Sequence, residues 1–301
     1  MDLPIEHLRT LAAVIDEGSL EGAARALHVS PSAVSQRVRS MEERVGTVLL
    51  LRTRPVTTTA AGATLLRAAR QVSRVIDDAA TELDESSTRG SLVKLVINAD
   101  SLATWFVPAL ARAAAATGAR FEVLRADETV STEKLRSGEV MAALTSTAEA
   151  VPGCVSELIG VDRYYAVASP GFIAAHLPNG LTKAALERAP MVEFDRHDMF
   201  QQRFLSNLGH VEIAPPRHYV PSSAEFATAV ELGMGWGMLP RLQCAPQLAT
   251  GALVELAPDE PLDLPLYWQR WNLRSPVLDE LSAIIADEAK QALNFAKPEY
   301  S

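Results

Sequence analysis

The sequence predicts a mainly helical N-terminal unit, one long connecting helix and a larger α/β unit in two lobes. Three observations carry this. Residues 5–45 hold three short stretches of helical apolar spacing, divided by cap and stop signals. Residues 60–83 keep one helical stripe without a break. From Leu92 onward, short apolar runs alternate with helical patterns, as strands and helices packed in layers require. With 301 residues, 48% of them hydrophobic, the chain can bury more than one core.

In the head, Ile5, Leu8, Leu11, Ala12 and Ile15 share one helix face, and Gly18 stops that helix. Ser19 is placed to cap a second, short helix. Its Gly22, Ala23 and Ala24 let a neighbouring helix cross closely. Ser30 is placed to cap a third, with Pro31 at the first helical position, where a missing N–H costs nothing. Val34, Val38, Met41 and Val45 form its apolar stripe, and Gly46 ends it. Ser32, Ser35, Gln36 and Arg39 therefore fall on or near its outward face. Residues 48–52 and 55–58 read as a small hairpin, a wing beside the helices. Two helices joined by a tight turn, the second capped and polar-faced beside a wing, make a winged helix-turn-helix. That shape delivers one helix to the DNA major groove.

Thr59 is placed to cap the long helix of residues 60–83. Leu65, Leu66, Ala69, Val72, Val75, Ile76, Ala79, Ala80 and Leu83 line it, more apolar surface than one helix buries alone. Pairing with a second copy is the expected solution, and packing on its own chain the alternative. The polar run 86–91 marks the domain boundary. Strands are expected at 92–97, 121–124, 140–144, 164–168, 191–194, 218–220 and 236–239. Helices are expected at 105–116, 130–137 and 226–232, with an amphipathic helix at 275–293 closing the chain. The alternation predicts a parallel sheet covered on both faces.

The net charge is −9, which argues against a nucleic-acid binder until its distribution is read. Between Arg25 and Arg54, six arginines face two acids, whereas residues 90–301 carry 17 basic and 25 acidic residues. A basic patch on an acidic protein suffices for DNA, because counterion release depends on the charges at the interface. Cys154 and Cys244 stand alone, with no metal-ligand spacing and no disulfide framework, which fits a reduced, cytoplasmic setting. No signal peptide is expected at the start, and no apolar run is long enough to span a bilayer.

The ordered residues Leu8, Ala12, Ile15, Gly18-Ser19-Leu20, Ala23-Ala24, Leu27, Val29-Ser30-Pro31-Ser32-Ala33-Val34-Ser35-Gln36, Arg52 and Thr59-x-Ala61-Gly62 resemble the DNA-binding half of LysR-type transcriptional regulators. Met41 stands where that family commonly has Leu. Thr58 stands where an apolar residue often precedes the Thr. Neither departure removes a DNA-contact group. The resemblance implies a periplasmic-binding-protein-like, two-lobed sensor after the linker helix, with no catalytic role, cofactor or metal. It implies a homodimer or homotetramer on a promoter site with dyad symmetry, and contact with RNA polymerase. Under it the chain divides into a head (1–58), a linker and dimerisation helix (59–89) and an effector domain (90–301). One lobe would hold 90–162 and 268–301, the other 163–267. Asn98-Ala99-Asp100-Ser101-Leu102-Ala103-Thr104-Trp105-Phe106, Val192-Glu193-Phe194-Asp195 and Val220-Pro221-Ser222-Ser223 are similar to the LysG/ArgP branch. That branch implies a basic amino acid as effector, lysine or arginine, and control of an amino-acid exporter gene.

Candidate DNA contacts are Ser30, Ser32, Ser35, Gln36 and Arg39, for the groove and the backbone, with Arg52 and Arg54 on the wing for phosphates or a minor groove. Gln can read adenine through two hydrogen bonds. Candidate effector contacts lie where open α/β sheets bind ligands, beyond strand ends and near helix starts. Ser101 and Thr145, or Ser222, would take the ligand carboxylate, and Asp100, Glu193 and Asp195 its cations. Plain helix capping is the alternative for Asp100 and Ser222, and a surface salt bridge for Glu193 and Asp195. Trp105 and Trp236 read as core. Gly233, Gly235 and Gly237 read as a turn into a buried strand, since no phosphate-loop Lys follows. His197 between Asp195 and Asp198 reads as a polar loop. No Gly-x-Ser-x-Gly or His-Glu-x-x-His pattern supports an enzyme. A sensor of another metabolite, or an architectural DNA binder without a ligand, are the other readings.

Overall fold

The computed structural model describes residues 3–83, 91–125 and 128–293. Helices α1 (Ile5–Asp16), α2 (Leu20–Ala26) and α3 (Pro31–Val45) enclose a core that includes Leu11, Val14, Val34 and Met41. The expected caps form. Ser19 Oγ accepts the Gly22 N–H at 3.0 Å, Ser30 Oγ that of Ala33 at 3.2 Å, and Thr59 Oγ1 that of Gly62 at 3.0 Å. Each such cap contributes about 1 kcal/mol. The turn from α2 to α3 is tight enough to hold His28 at a left-handed φ of 53°. The wing pairs β1 (Leu50–Leu51) with β2 (Thr57–Thr58). Glu42 on α3 holds the wing, its Oε1 accepting the N–H of Leu49 at 2.8 Å.

Helix α4 (Ala60–Leu83) divides its apolar stripe. Leu66 and Ala69 are buried on the chain's own head. Val72 and Val75 stay 40% and 46% exposed, and Ala79 is exposed beside them. The expectation that a second copy covers the stripe is corrected for Leu66 and Ala69, because α1 takes that part of the face. Most of the expected boundary at 86–91 falls on residues 84–90, outside the described residues.

In the first lobe, β3 (Leu92–Ile97), β4 (Arg120–Arg125) and β5 (Ala142–Thr145) run parallel in the order β4-β3-β5. Between β3 and β4, α5 (Ala99–Ser101) continues through a π-helical turn (Leu102–Phe106) into α6 (Val107–Thr117). Helix therefore begins six residues before the expected 105, because Asn98 Oδ1 caps it on the Ser101 N–H at 2.9 Å. Helix α7 (Glu128–Ser137) precedes β5.

The expected parallel sheet is corrected to a mixed one. The long strands β6 (Cys154–Ala168) and β11 (Leu262–Trp271) pair antiparallel and run through both lobes. The sequence pattern shows only the 164–168 end of β6 and none of β11, since each strand serves two cores. Ile159 packs in the first core and Tyr164 in the second; on β11, Leu266 and Leu262 do the same in reverse. Gly160 and a register shift at Leu266/Tyr267 mark the crossing.

Between these strands the second lobe builds α8 (Pro170–His176), α9 (Lys183–Leu186), β7 (Met191–Glu193), α10 (Phe200–Asn207), β8 (Arg217–Tyr219), α11 (Ser223–Glu231), β9 (Gly237–Pro240), α12 (Arg241–Thr250) and β10 (Val254–Glu255). Helices α8, α9, α10 and α12 escape the sequence pattern, being short or, in α12, carrying Pro246. Trp236 is core, and a Cβ at Gly237 would stand 2.9 Å from the Phe226 ring. Helix α13 (Pro276–Ala292) returns Leu278, Leu281 and Ile285 to the first core. Among the described residues no helix is long and apolar enough to cross a membrane.

Candidate functional site

Helix α3 buries Val34, Val38 and Met41, which turns its other side outward. Ser30, Ser32, Ser35, Gln36 and Arg39 are all exposed there, and Arg52 and Arg54 are exposed on the wing. The Ser30 hydroxyl, besides capping, meets that of Ser32 at 2.9 Å. Arg39 pairs with Glu43 at 2.9 Å, an exposed contact of the kind worth little, so the guanidinium is readily given up to a phosphate. Arg37 belongs to the inside, donating to Thr10 Oγ1 at 3.2 Å.

A cavity of about 510 Å³ opens between the lobes. The first lobe contributes Asn98, Ala99 and Asp100 after β3 and Arg125 at the end of β4. The second contributes the stretch Phe194–Arg203 around the start of α10, and Tyr164 rises from the crossing strand β6. Tyr164 stacks on Phe200 with centroids 4.4 Å apart, and the Arg125 guanidinium lies 5.6 Å from the Phe194 ring centroid.

Asp100 is the centre of the polar chemistry. It accepts the Tyr164 hydroxyl at 2.7 Å and the Ser223 hydroxyl at 2.6 Å, so three distant segments meet on one carboxylate. Among the described residues no Arg or Lys forms an ion pair with it. Asp162, nearly buried on β6, has its carboxyl pushed up to about 7, first by burial and then by the charge of Asp100. Burial also raises Asp198, and Asp100 adds to it. The N–H groups of Phe194 (2.9 Å) and Phe200 (3.0 Å) oppose the rise by bonding its carboxylate. The Tyr164 phenol is held well above its ordinary value by burial and by Asp100. Mutual repulsion of this kind is relieved by a bound cation.

Of the effector residues expected from sequence, the structure brings Asp100 and Asp195 to the cavity. The others do not line it. Ser101 is fully buried on the inner side of its helix, one residue round from Asp100. Thr145 Oγ1 is buried and accepts from Gln269 Nε2 at 3.1 Å. Glu193 is buried at the end of β7, 3.6 Å from Arg217, and burial raises its carboxyl. Ser222 gives its hydroxyl to Glu225, and it is Ser223 next to it that reaches Asp100. These four assignments are therefore corrected. Tyr164, Asp198, Phe200, Arg125 and Arg203 were missed. Only the polar-aromatic run 194–200 carried a signal that could have revealed some of them.

A winged helix-turn-helix carried on a two-lobed body, with a cavity between the lobes that holds a few convergent polar groups, defines a ligand-responsive DNA-binding regulator. Residues 5–63 match the family described as "Bacterial regulatory helix-turn-helix protein, lysR family", and residues 88–290 match "LysR substrate binding domain". The chain belongs to the LysR family of transcriptional regulators. It is 41% identical over 290 residues to the "Lysine export transcriptional regulatory protein LysG" of Corynebacterium efficiens, covering 95% of this chain and 98% of that one. Its fold is similar to the crystal structure of ArgP from Mycobacterium tuberculosis (TM-score 0.88, 37% identity, 96% and 98% of the two chains). It is also similar to full-length LysG from Corynebacterium glutamicum with bound effector Arg (TM-score 0.85, 36% identity, 97% and 99% covered).

Proposed function

We propose that this regulator responds to a free basic amino acid, arginine or lysine, bound between the lobes, and that its target is an exporter gene for such amino acids. The observation that carries the effector is Asp100, a carboxylate facing the cavity with hydroxyl partners and with Asp162 and Asp198 nearby. A guanidinium or ammonium group supplies the positive charge such a cluster lacks. The rings of Tyr164, Phe194 and Phe200 suit the ligand's methylene stem, and Arg125 and Arg203 on the cavity wall suit its α-carboxylate. Asp195 extends the acidic side. The names of the similar LysG and ArgP proteins, one of them with Arg bound, support the same ligand class.

On the DNA side, Ser32, Ser35 and Gln36 read base edges, while Ser30, Arg39, Arg52 and Arg54 hold the backbone. Two copies joined through α4 present two recognition helices to a site with dyad symmetry in the cytoplasm. The chain acts by binding and not by catalysis, and contact with RNA polymerase completes the output.

A thermal-shift scan against the twenty free amino acids tests the effector, since a ligand of the folded state raises the melting temperature by mass action. Arginine or lysine should shift it, and Asp100→Asn should weaken that ligand about 10- to 100-fold, the value of about 1.5–3 kcal/mol for a hydrogen bond to a charged group. A shift with neutral or acidic amino acids alone would overturn the reading.

A further inference from the structure

The cavity and the recognition helix lie in different units, so something must carry one's state to the other. Helix α4 bears Arg67, Arg70 and Arg74, spaced to share one helix face. All three donate to backbone carbonyls of the first lobe. Arg67 Nη1 reaches Pro152 O at 2.9 Å, Arg70 Nη1 reaches Ser137 O at 3.3 Å, and Arg74 Nη1 reaches Leu92 O at 3.3 Å. The docking is close. Gly138 has a φ of +74°, and a Cβ there would stand 3.1 Å from the Cα of Arg67. Backbone acceptors make these contacts sensitive to where the lobe sits, and Arg74 alone adds a side-chain partner in the lobe, donating to Ser91 Oγ at 3.1 Å.

The lobe's side of the contact is tied to the strands that set the angle between lobes. Gln269 is fully buried on β11. Its Oε1 accepts the Val151 N–H at 3.0 Å, and its Nε2 donates to Thr145 Oγ1, Thr147 O and Glu149 O, each at 3.1 Å. The stretch that ends at Pro152, where Arg67 docks, therefore moves with β11; helix α7, which ends at Ser137, packs on β5, the strand paired with β11. On the other side, the second nitrogen of Arg70 bonds the carboxylate of Asp16, the last residue of α1 in the head. Arg70 thus touches the head and the first lobe at once.

We propose that Arg70 is the positioning residue that couples effector binding to the DNA-binding head, passing displacement of the Ser137 carbonyl to Asp16. The inference rests on the effector reading above. If the lobes close on a cation, β11 shifts relative to α4, and the head follows because one guanidinium holds both.

The test is hydrogen exchange on the full-length protein with and without L-arginine, and separately L-lysine. Wild type should gain protection around the cavity and change exchange in α1 and α3. Arg70→Met keeps an unbranched apolar stem and removes both bonds. It should keep the cavity protection and lose the amino-acid-dependent change in the head. Asp16→Ala removes the head's half alone, at an exposed carboxylate, and should show the same loss. A merely structural role would raise head exchange equally with and without the amino acid and leave the difference between them intact. A head response that persists in both variants overturns the coupling and leaves the effector reading standing. No cavity protection in wild type with either amino acid overturns the effector reading, and the coupling with it.

Discussion

At the residue scale, Asp100 shows how one side chain acquires a role from its surroundings. In sequence it is indistinguishable from a helix-capping residue. In the fold Asn98 does the capping, and Asp100 is left to gather Tyr164 and Ser223. Asp162 stands behind it with a different consequence. Its folded-state value near 7 lies above that of an ordinary carboxylate, so the folded chain keeps a proton the unfolded chain has released. Stability from this group therefore falls as pH rises from about 4 through 7. Asp162→Asn should raise the melting temperature, and by more at pH 8 than at pH 5. An equal gain at both pH values, read by calorimetry, would mean that Asp162 is not protonated in the fold.

At the scale of elements, the junction of wing and long helix is a close backbone approach. A Cβ on Gly62, in the first turn of α4, would stand 2.0 Å from the carbonyl oxygen of Leu49. That neighbour is backbone and is itself bound, since Leu49 O accepts the Thr59 N–H at 3.0 Å. Gly62→Ala must therefore push wing and helix apart. Forced overpacking of this kind costs about 1–3 kcal/mol. Denaturant unfolding followed in the head should show a loss of that size; a neutral result would mean the wing is not seated on α4. The same logic explains Glu42, an acid on the proposed DNA-reading helix. It holds the wing in place through the N–H of Leu49.

At the scale of the whole molecule, α4 serves two contacts with two faces. Leu66 and Ala69 close the head and the arginine row meets the first lobe, while Val72, Val75 and Ala79 stay uncovered at heptad-like spacing. A second copy is the partner that would bury them. Val72→Glu with Val75→Glu should shift the sedimentation of the chain toward monomer. It should also weaken binding to a two-half-site DNA more than to a single half-site, since only a dimer engages both halves. Unchanged sedimentation would place the dimer contact elsewhere.

Local chemistry made the head legible from its residues alone. Ser19, Ser30 and Thr59 cap the helices they precede, Gly46 ends α3, and the outward face of Ser32, Ser35, Gln36 and Arg39 follows from the buried stripe opposite. A cap, a turn and a helix face each involve residues a few positions apart, so the sequence states them directly. The cavity is different in kind. Residues 100, 164, 198 and 223 become neighbours only when β6 and β11 cross between lobes, and the sequence pattern shows only the 164–168 end of β6 because each strand divides its apolar residues between two cores. Whether a Ser or Thr at a strand end faces a ligand or the interior depends on how its helix or strand is rotated. That rotation is decided by packing from across the chain, which turned Ser101 and Thr145 inward and Asp100 toward the cavity.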